Sequence, residues 1–458
     1  MTTSYDAIVV GAGQAGPSLA ARLAGAGMKV ALVERKLIGG TCVNTGCTPT
    51  KAMVASAYAA HMARRAGDYG VRGVGEITVD MKAVKARKDA IVEASRTGLV
   101  EWLQGTENLT LIEGHARFTS PGEMVVNADR ITAPRIFLNV GGRASVPDYP
   151  GTEEIGYLAN STILDLDELP AHLVIVGGGY IGLEFAQMFR RFGAEVTVVE
   201  RGARLLPRED EDVAQAIHDM LVDEGVTIRL NADCISFERR GDSKVVGVSC
   251  TQGEPEVVGS HVLLAVGRTP NTDDLGLDAA GVECDKRGYI KVDDELRTSV
   301  PGIWALGDCN GKGAFTHTAY NDFEIAAENL LDNAGRKVSD RQTAYALYTD
   351  PPLGRVGMSE VEARRAGHSI LVGKRPMTRV SRAKEKGETV GLMKIVSDAA
   401  TGKLLGAATL GVGGDEAVHA VLDLIHVGAT AETLRRAVHI HPTVAELLPT
   451  LVAEQKPA

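Results

Sequence analysis

No apolar run in this sequence of 458 residues reaches the roughly 18 that a membrane-spanning helix needs, so a helical membrane protein is not expected. The opening residues, MTTSYDAIVV, lack the basic start and small-residue cleavage site of a secretion signal, and a cytoplasmic location is expected. An excess of positive charge is also missing. The net charge of -10 argues against nucleic acid or an anionic membrane surface as a partner. Six cysteines are too few for a disulfide scaffold in a chain this long. Two of them, Cys42 and Cys47, stand five residues apart, which in a cytosolic protein points to one special pair. Cys234, Cys250 and Cys284 read as small buried or strand residues. What remains, 44% hydrophobic and 24% charged, is the composition of a soluble globular enzyme of about three domains.

One internal repeat is present. YDAIVVGAGQAGPSLAARLAGAGMKVALVE ends at Glu34 and HLVIVGGGYIGLEFAQMFRRFGAEVTVVE ends at Glu200. Each reads as apolar strand, glycine turn, amphipathic helix and second strand, a βαβ unit with a parallel sheet. In Gly11-x-Gly13-x-x-Gly16 the first glycine permits the tight turn and the second lets the backbone approach a pyrophosphate. The third allows close helix–strand packing, and the anion then sits on the helix N-terminus. Gly177, Gly179 and Gly182 repeat this logic. Glu34 and Glu200, each 18 residues beyond the last motif glycine, are placed to bind a ribose diol. Two such units suggest two dinucleotides. A carboxylate at Glu200 repels a 2′-phosphate and favours NADH, although Arg201 and Arg204 stand close enough to keep NADPH open.

Between the repeats, Lys51 to Ala66 and Arg87 to Gln104 look helical, and residues 110 to 140 alternate like short strands. The PDYPG segment ending at Gly151 marks a boundary, and the second unit ends with HVLLAVG before RTPN. From about residue 339 strands are followed by helices, the pattern of a separate α+β domain. Ser359 and Glu362 form a candidate capping box. Strands are expected near HSILVG and GLMKIVS, and helices in DEAVHAVLDLIHVGA and TAETLRRAV. The tail EQKPA is expected to fray. Around the cysteines, GGTCVNTGCTPTK puts side chains about 140° apart on a regular helix, too divergent for a bridge. Gly46 and Pro49 therefore imply that regular helix starts only after Cys47, where it would depress a thiolate pKa.

With both glycine motifs and GGTCVNTGCTPTK, the segments GIWALGDC (302 to 309) and HIHPTVAE (439 to 446) complete an ordered set. From about residue 4 to 453 the chain resembles a class I pyridine nucleotide–disulfide oxidoreductase, the family of dihydrolipoamide dehydrogenase, glutathione reductase and mercuric reductase. The resemblance implies an α/β fold with two Rossmann-like dinucleotide-binding domains and a C-terminal α+β dimerisation domain. FAD would occupy 1–150 with 271–338, NAD(P)H would occupy 151–270, and 339–458 would form the interface. It implies that Cys42 is the interchange thiol and Cys47 the charge-transfer thiolate. Lys51 would sit near the flavin and pair with Glu184, and Asp308, after Gly307, would bond the ribityl chain. Gly40, Thr41 and Gly267 complete the cofactor-binding set. His441, oriented by Glu446, would serve the thiols as acid/base from the second subunit of a homodimer. No resident metal is expected.

The loop CVNTGCTPTKAMVASA resembles the mercuric-reductase-like branch most, which also includes flavoproteins that defend against reactive chlorine or sulfur oxidants. Yet no cysteine follows Cys309 and no metal-binding module is read ahead of the first strand, which disfavours mercury reduction. The expected acceptor is a small oxidised thiol, a reactive oxidant or a metal ion. The alternatives are dihydrolipoamide dehydrogenase of a 2-oxoacid dehydrogenase complex and, more remotely, a non-catalytic metal-binding protein.

Overall fold

The structure, a computed structural model, describes residues 2–249 and 253–458. Cys250 and the side chain of Cys234 lie outside the described residues. Ala7–Val10 (β1) is buried at every position, as a parallel strand covered on both faces must be. The chain continues through Gly16–Gly25 (α1), Val30–Glu34 (β2), Gly40–Thr45 (α2), Cys47–Arg64 (α3), Met81–Gln104 (α4), Leu109–Glu113 (β3) and Ile136–Leu138 (β4). Helix α1 carries Pro17 in its first turn, where the missing N–H costs nothing. Helix α4 starts six residues before Arg87, because Asp80 caps it by accepting from the N–H groups of Lys82 (2.9 Å) and Ala83 (3.1 Å). Short strands over residues 116–132 form an antiparallel sheet to which Thr2–Ser4 adds in parallel.

The second unit repeats the first: His172–Val176 (β5), Tyr180–Phe192 (α5), Glu195–Val199 (β6), Glu211–Asp223 (α6), Thr227–Arg229 (β7) and His261–Leu264 (β8). Its sheet is parallel throughout, in the order β7-β6-β5-β8. Between β7 and β8 lies a three-stranded antiparallel sheet that the sequence reading passed over. The chain then returns to the first sheet: Ile303–Ala305 (β9) pairs with β4, and Thr316–Leu331 (α7) packs on α1. The first sheet thus runs β9-β4-β1-β2-β3, all parallel, and its order reverses beside β1. Such a reversal opens a crevice at the carboxyl end of the central strand.

The last segment holds Ala344–Leu347 (β10), Leu353–Gly357 (β11), Glu360–Arg365 (α8), Ile370–Pro376 (β12), Leu392–Asp398 (β13) and Leu404–Leu410 (β14). His419–His426 (α9), Ala431–Arg435 (α10), Leu448–Ala453 (α11) and Lys456–Pro457 (β15) follow. One antiparallel sheet, β10-β11-β14-β13-β12-β15, takes in all six strands. The Ser359–Glu362 capping box forms as expected, with bonds of 3.2 and 2.8 Å. The tail corrects the expectation of fraying. Lys456 and Pro457 pair with β12, covering backbone groups that an edge strand would otherwise expose. The predicted helix DEAVHAVLDLIHVGA breaks at Val418, and Val421 and Ile425 of α9 face the core of this segment. Cys284 is half-buried and bridges Ile290, close to its expected role. The α/β architecture with a C-terminal α+β part is therefore observed.

A buried ion network ties the last segment to the second unit. Arg355 of β11, 2% exposed, meets Glu209 and Asp210 at 3.1 Å each. Lys394 of β13 lies 2.6 Å from Asp212 and 2.5 Å from Glu360. Asp210, Asp212 and Glu360 converge closely enough to hold a cation, and the Lys394 ammonium is that cation. Among the described residues no helix is long and apolar enough to cross a membrane.

Candidate active site

The two glycine turns are built alike. A Cβ on Gly11 would lie 2.3 Å from the Asn139 carbonyl oxygen, and one on Gly177 would lie 2.4 Å from that of Ala265. Both carbonyls belong to the segments just after β4 and β8, so each turn is pressed against the neighbouring strand's exit. Gly16 and Gly182 approach the carbonyls of Gly11 and Gly177 so closely that a Cβ would sit at 2.0 and 2.2 Å. Gly179 has nothing within 4 Å on that side, and a Cβ on Gly13 would meet only Asn139, its side-chain amide at 3.4 Å and its carbonyl oxygen at 3.9 Å, which leaves room for a ligand. Glu34 accepts from the N–H groups of Ala12 and Lys36, both at 2.8 Å. Glu200 accepts from Gly178 and Gly202, both at 2.6 Å. The paired bonds fix each carboxylate beside its turn.

One cleft of about 1460 Å³ contains both turns, with Glu34 and Glu200 on its walls. Gly40, Thr41, Cys42, Cys47 and Lys51 line it too, as do Gly267, Gly307 and Asp308. The donor set fits two dinucleotides: two N-terminal helix turns for pyrophosphates and two fixed carboxylates for riboses. Asp308 supports the same fit. Burial pushes its carboxyl above the usual range, and among the described residues its one ion partner, Arg268, stands 3.4 Å away. Such a carboxylate has acceptor capacity left for hydroxyl donors in the cleft.

The cysteine loop differs from its expectation in one respect. Regular helix precedes Cys47 as well, since α2 covers Gly40–Thr45 and carries Cys42. Gly46, at φ −139° and ψ −113°, breaks the chain between the two helices, and α3 starts at Cys47 itself. The break replaces the divergent geometry of one continuous helix and sets two free thiols side by side, so that each shifts the other's ionisation. Cys47 is lowered to about 6, first by the hydrogen bond from Cys42. Burial opposes the shift, while Thr316, the positive Lys51 and the N–H at the start of α3 add to it. Cys42 is raised, first because its proton serves Cys47, then by burial and by the neighbouring negative charge. The pair therefore holds its negative charge on Cys47.

Lys51 Nζ lies 2.7 Å from Glu184 Oε2 and 4.6 Å from the centre of the Tyr348 ring. The other Glu184 oxygen accepts from the Tyr348 N–H at 2.9 Å, so α3, α5 and the approach to β11 meet at this point. Glu184 is buried, whereas Lys51 keeps about a third of its side chain exposed to the cleft. His441 Nδ1 is bonded to Glu446 at 2.8 Å, as the motif suggested. That pair does not line this chain's own cleft. His441 is 74% exposed, beside Val438 at 99% and Ile440 at 80%. Two site residues escaped the sequence reading, Thr316 and Tyr348. Thr316 Oγ1 lies 3.2 Å from Cys47 Sγ. The lone signal for it was its place at the head of a helix soon after GIWALGDC.

Comparison with known proteins agrees with this geometry. The family profile "Pyridine nucleotide-disulphide oxidoreductase" matches residues 5–322, and its dimerisation domain matches 343–452. A dihydrolipoyl dehydrogenase of Thermus scotoductus is 35% identical over 97% of this chain and 95% of its own. A mercuric reductase of Bacillus cereus is 32% identical over 96% of this chain and 70% of its own. Among solved structures, the Cu(II) complex of the HOCl-induced flavoprotein disulfide reductase RclA from Escherichia coli superposes with a TM-score of 0.89 at 34% identity. That match covers 98% of this chain and 99% of the other.

Proposed function

The chain belongs to the pyridine nucleotide–disulphide oxidoreductase family, and from that premise we propose a flavoprotein reductase that delivers electrons from NADH to the Cys42–Cys47 pair and on to a small acceptor. The observation that carries this reading is the single cleft holding two dinucleotide cradles, the thiol pair and the Lys51–Glu184 contact. FAD, when bound there, supplies the two-electron relay between nicotinamide and disulfide. In each turnover the disulfide accepts two electrons and one proton, leaving a thiol on Cys42 and a thiolate on Cys47. The acceptor then takes two electrons as the disulfide closes again. Cys42 keeps the proton and would attack the acceptor once a base removes it. His441 of the partner subunit would be that base, held in one tautomer by its own Glu446. Lys51, anchored by Glu184, would offset negative charge arriving in the cleft.

The return of β9 and α7 to the first sheet supports a discontinuous FAD-binding unit, 1–150 with 271–338. NAD(P)H would then bind 151–270, and 339–458 would form the interface of a homodimer. NADH is favoured over NADPH because both Glu200 oxygens are fixed at the second cradle. Arg204 is turned to the Pro207 carbonyl at 3.0 Å and so away from a phosphate role. A cytoplasmic setting suits an enzyme drawing on reduced nicotinamide.

The test is an anaerobic titration with NADH. Two electrons per subunit should produce a long-wavelength charge-transfer band that Cys47→Ser abolishes, and a wild-type protein without that band refutes the reading. Rates with lipoamide, glutathione disulfide, hypothiocyanite, Hg(II) and Cu(II) then identify the acceptor. Turnover with lipoamide above all others would favour the dihydrolipoamide dehydrogenase alternative. Metal binding unaffected by NADH, without turnover, would favour sequestration.

A further inference from the structure

We propose that Thr316 belongs to the catalytic set: its hydroxyl donates to the Cys47 thiolate and sets the pH at which that thiolate forms. The inference rests on the preceding reading of Cys47 as the charge-transfer sulfur. Either atom of the 3.2 Å Thr316–Cys47 contact can donate while the thiol is protonated. Once Cys47 is a thiolate, only the threonine can, and the bond becomes charge-assisted.

Thr316 is held in place from two sides. Its own turn is closed by Thr318, which accepts from the Phe315 N–H at 3.1 Å and donates to the Phe315 carbonyl at 2.8 Å. That leaves the Thr316 hydroxyl free of local duties. From the last segment, Tyr345 of β10 stacks on Phe315 at 5.6 Å, and the Ala344 carbonyl accepts from His317 Nε2 at 2.7 Å. From the first unit, buried Asp322 of α7 accepts from the Gly307 N–H at 2.8 Å and the Asn310 amide at 2.9 Å. The hydroxyl is therefore presented to Cys47 by a turn that two separate parts of the molecule clamp.

Among the described residues, the other titratable or charged groups that act on Cys47 include Cys42 from α2, Lys51 from α3 and Tyr348 before β11, and in the dimer His441 of the partner subunit would face the pair as well. Glu184 of α5 acts through Lys51, and the Nε2 of His317 is committed to Ala344. None of these replaces the hydroxyl. Cys42 loses its proton on attack, Lys51 is shared with Glu184, and the phenol of Tyr348 is pushed up rather than ionised.

The two-electron-reduced holoenzyme is titrated with pH while the charge-transfer band is followed. In Thr316→Val the midpoint should rise by about one to two pH units, the size expected for losing a hydrogen bond to an anion. Thr316→Ser should return it to within a few tenths of wild type. As a second readout, the pH profile of Cys47 alkylation in a Cys42→Ser background should move upward when Thr316→Ala is added. That measurement also stands if Thr316→Val does not retain flavin. Superimposable midpoints for wild type and Thr316→Val overturn the inference while leaving the parent reading intact. A wild-type enzyme without the band defeats both.

Discussion

At the scale of single residues, the division of labour between two sulfurs follows from where one proton sits. Cys47 is lowered to about 6 and Cys42 is raised, so below that pH both sulfurs are protonated and above it the charge is on Cys47. The charge-transfer absorbance of the reduced enzyme should accordingly vanish as pH falls through about 6. It should persist to high pH because Cys42 holds its proton, and the pair titrates as a unit. An absorbance–pH curve with its midpoint near the unperturbed thiol value contradicts this. Much of the site was legible because its residues announce themselves locally: glycines at fixed offsets after an apolar strand, an acid 18 residues on, and two cysteines beside PTK. Thr316 and Tyr348 were not. Each acts on α3 across some 300 residues of chain, and nothing in FTH or LYT distinguishes a hydroxyl aimed at a sulfur from one aimed at water.

At the scale of elements, the break between α2 and α3 brings the thiols together. A Cβ on Gly46 would lie 2.8 Å from the Thr41 carbonyl, so Gly46→Ala must displace one helix against the other. Dithiol turnover should fall about 10- to 100-fold in that variant, the cost of a misplacement near an ångström, with the melting temperature little changed. Rapid-reaction kinetics of disulfide reduction would show it, and an unaltered rate would remove the break from the mechanism. The ion network between α6 and the last sheet makes a different prediction. Arg355→Ala strands buried Glu209 without its cationic partner and leaves Asp210 to Lys394 alone, and should cost about 3 to 5 kcal/mol in urea unfolding. The parallel strands were readable as continuous apolar runs, while β14 and the β15 tail were not. Antiparallel edges are specified by partners far along the chain, and Lys456 and Pro457 carry no strand pattern of their own.

At the scale of the molecule, the proposed reading makes the thiol pair and the histidine–glutamate pair on an open apolar surface half a site each. Val438 and Ile440 beside His441 mark the surface that a second copy would cover. Co-expressing Cys42→Ser with His441→Ala chains tests the sharing directly. Either variant alone should be nearly inactive, and random pairing should restore about a quarter of wild-type activity, since half the dimers then hold one intact site of two. No recovery in the mixed dimers, or full activity in an isolated monomer, counts against a shared site.

The late return of β9 also bears on the order in which the protein is made. The first sheet lacks its outermost strand until residues beyond 302 have emerged from the ribosome, and the whole second unit is synthesised in between. On the proposed discontinuous flavin unit, capture would wait for a chain that is two-thirds complete, since Asp308 arrives only with that closing segment. Ribosome-stalled chains ending near residue 270 should carry no flavin, whereas chains stalled far enough past residue 331 to release α7 should acquire it.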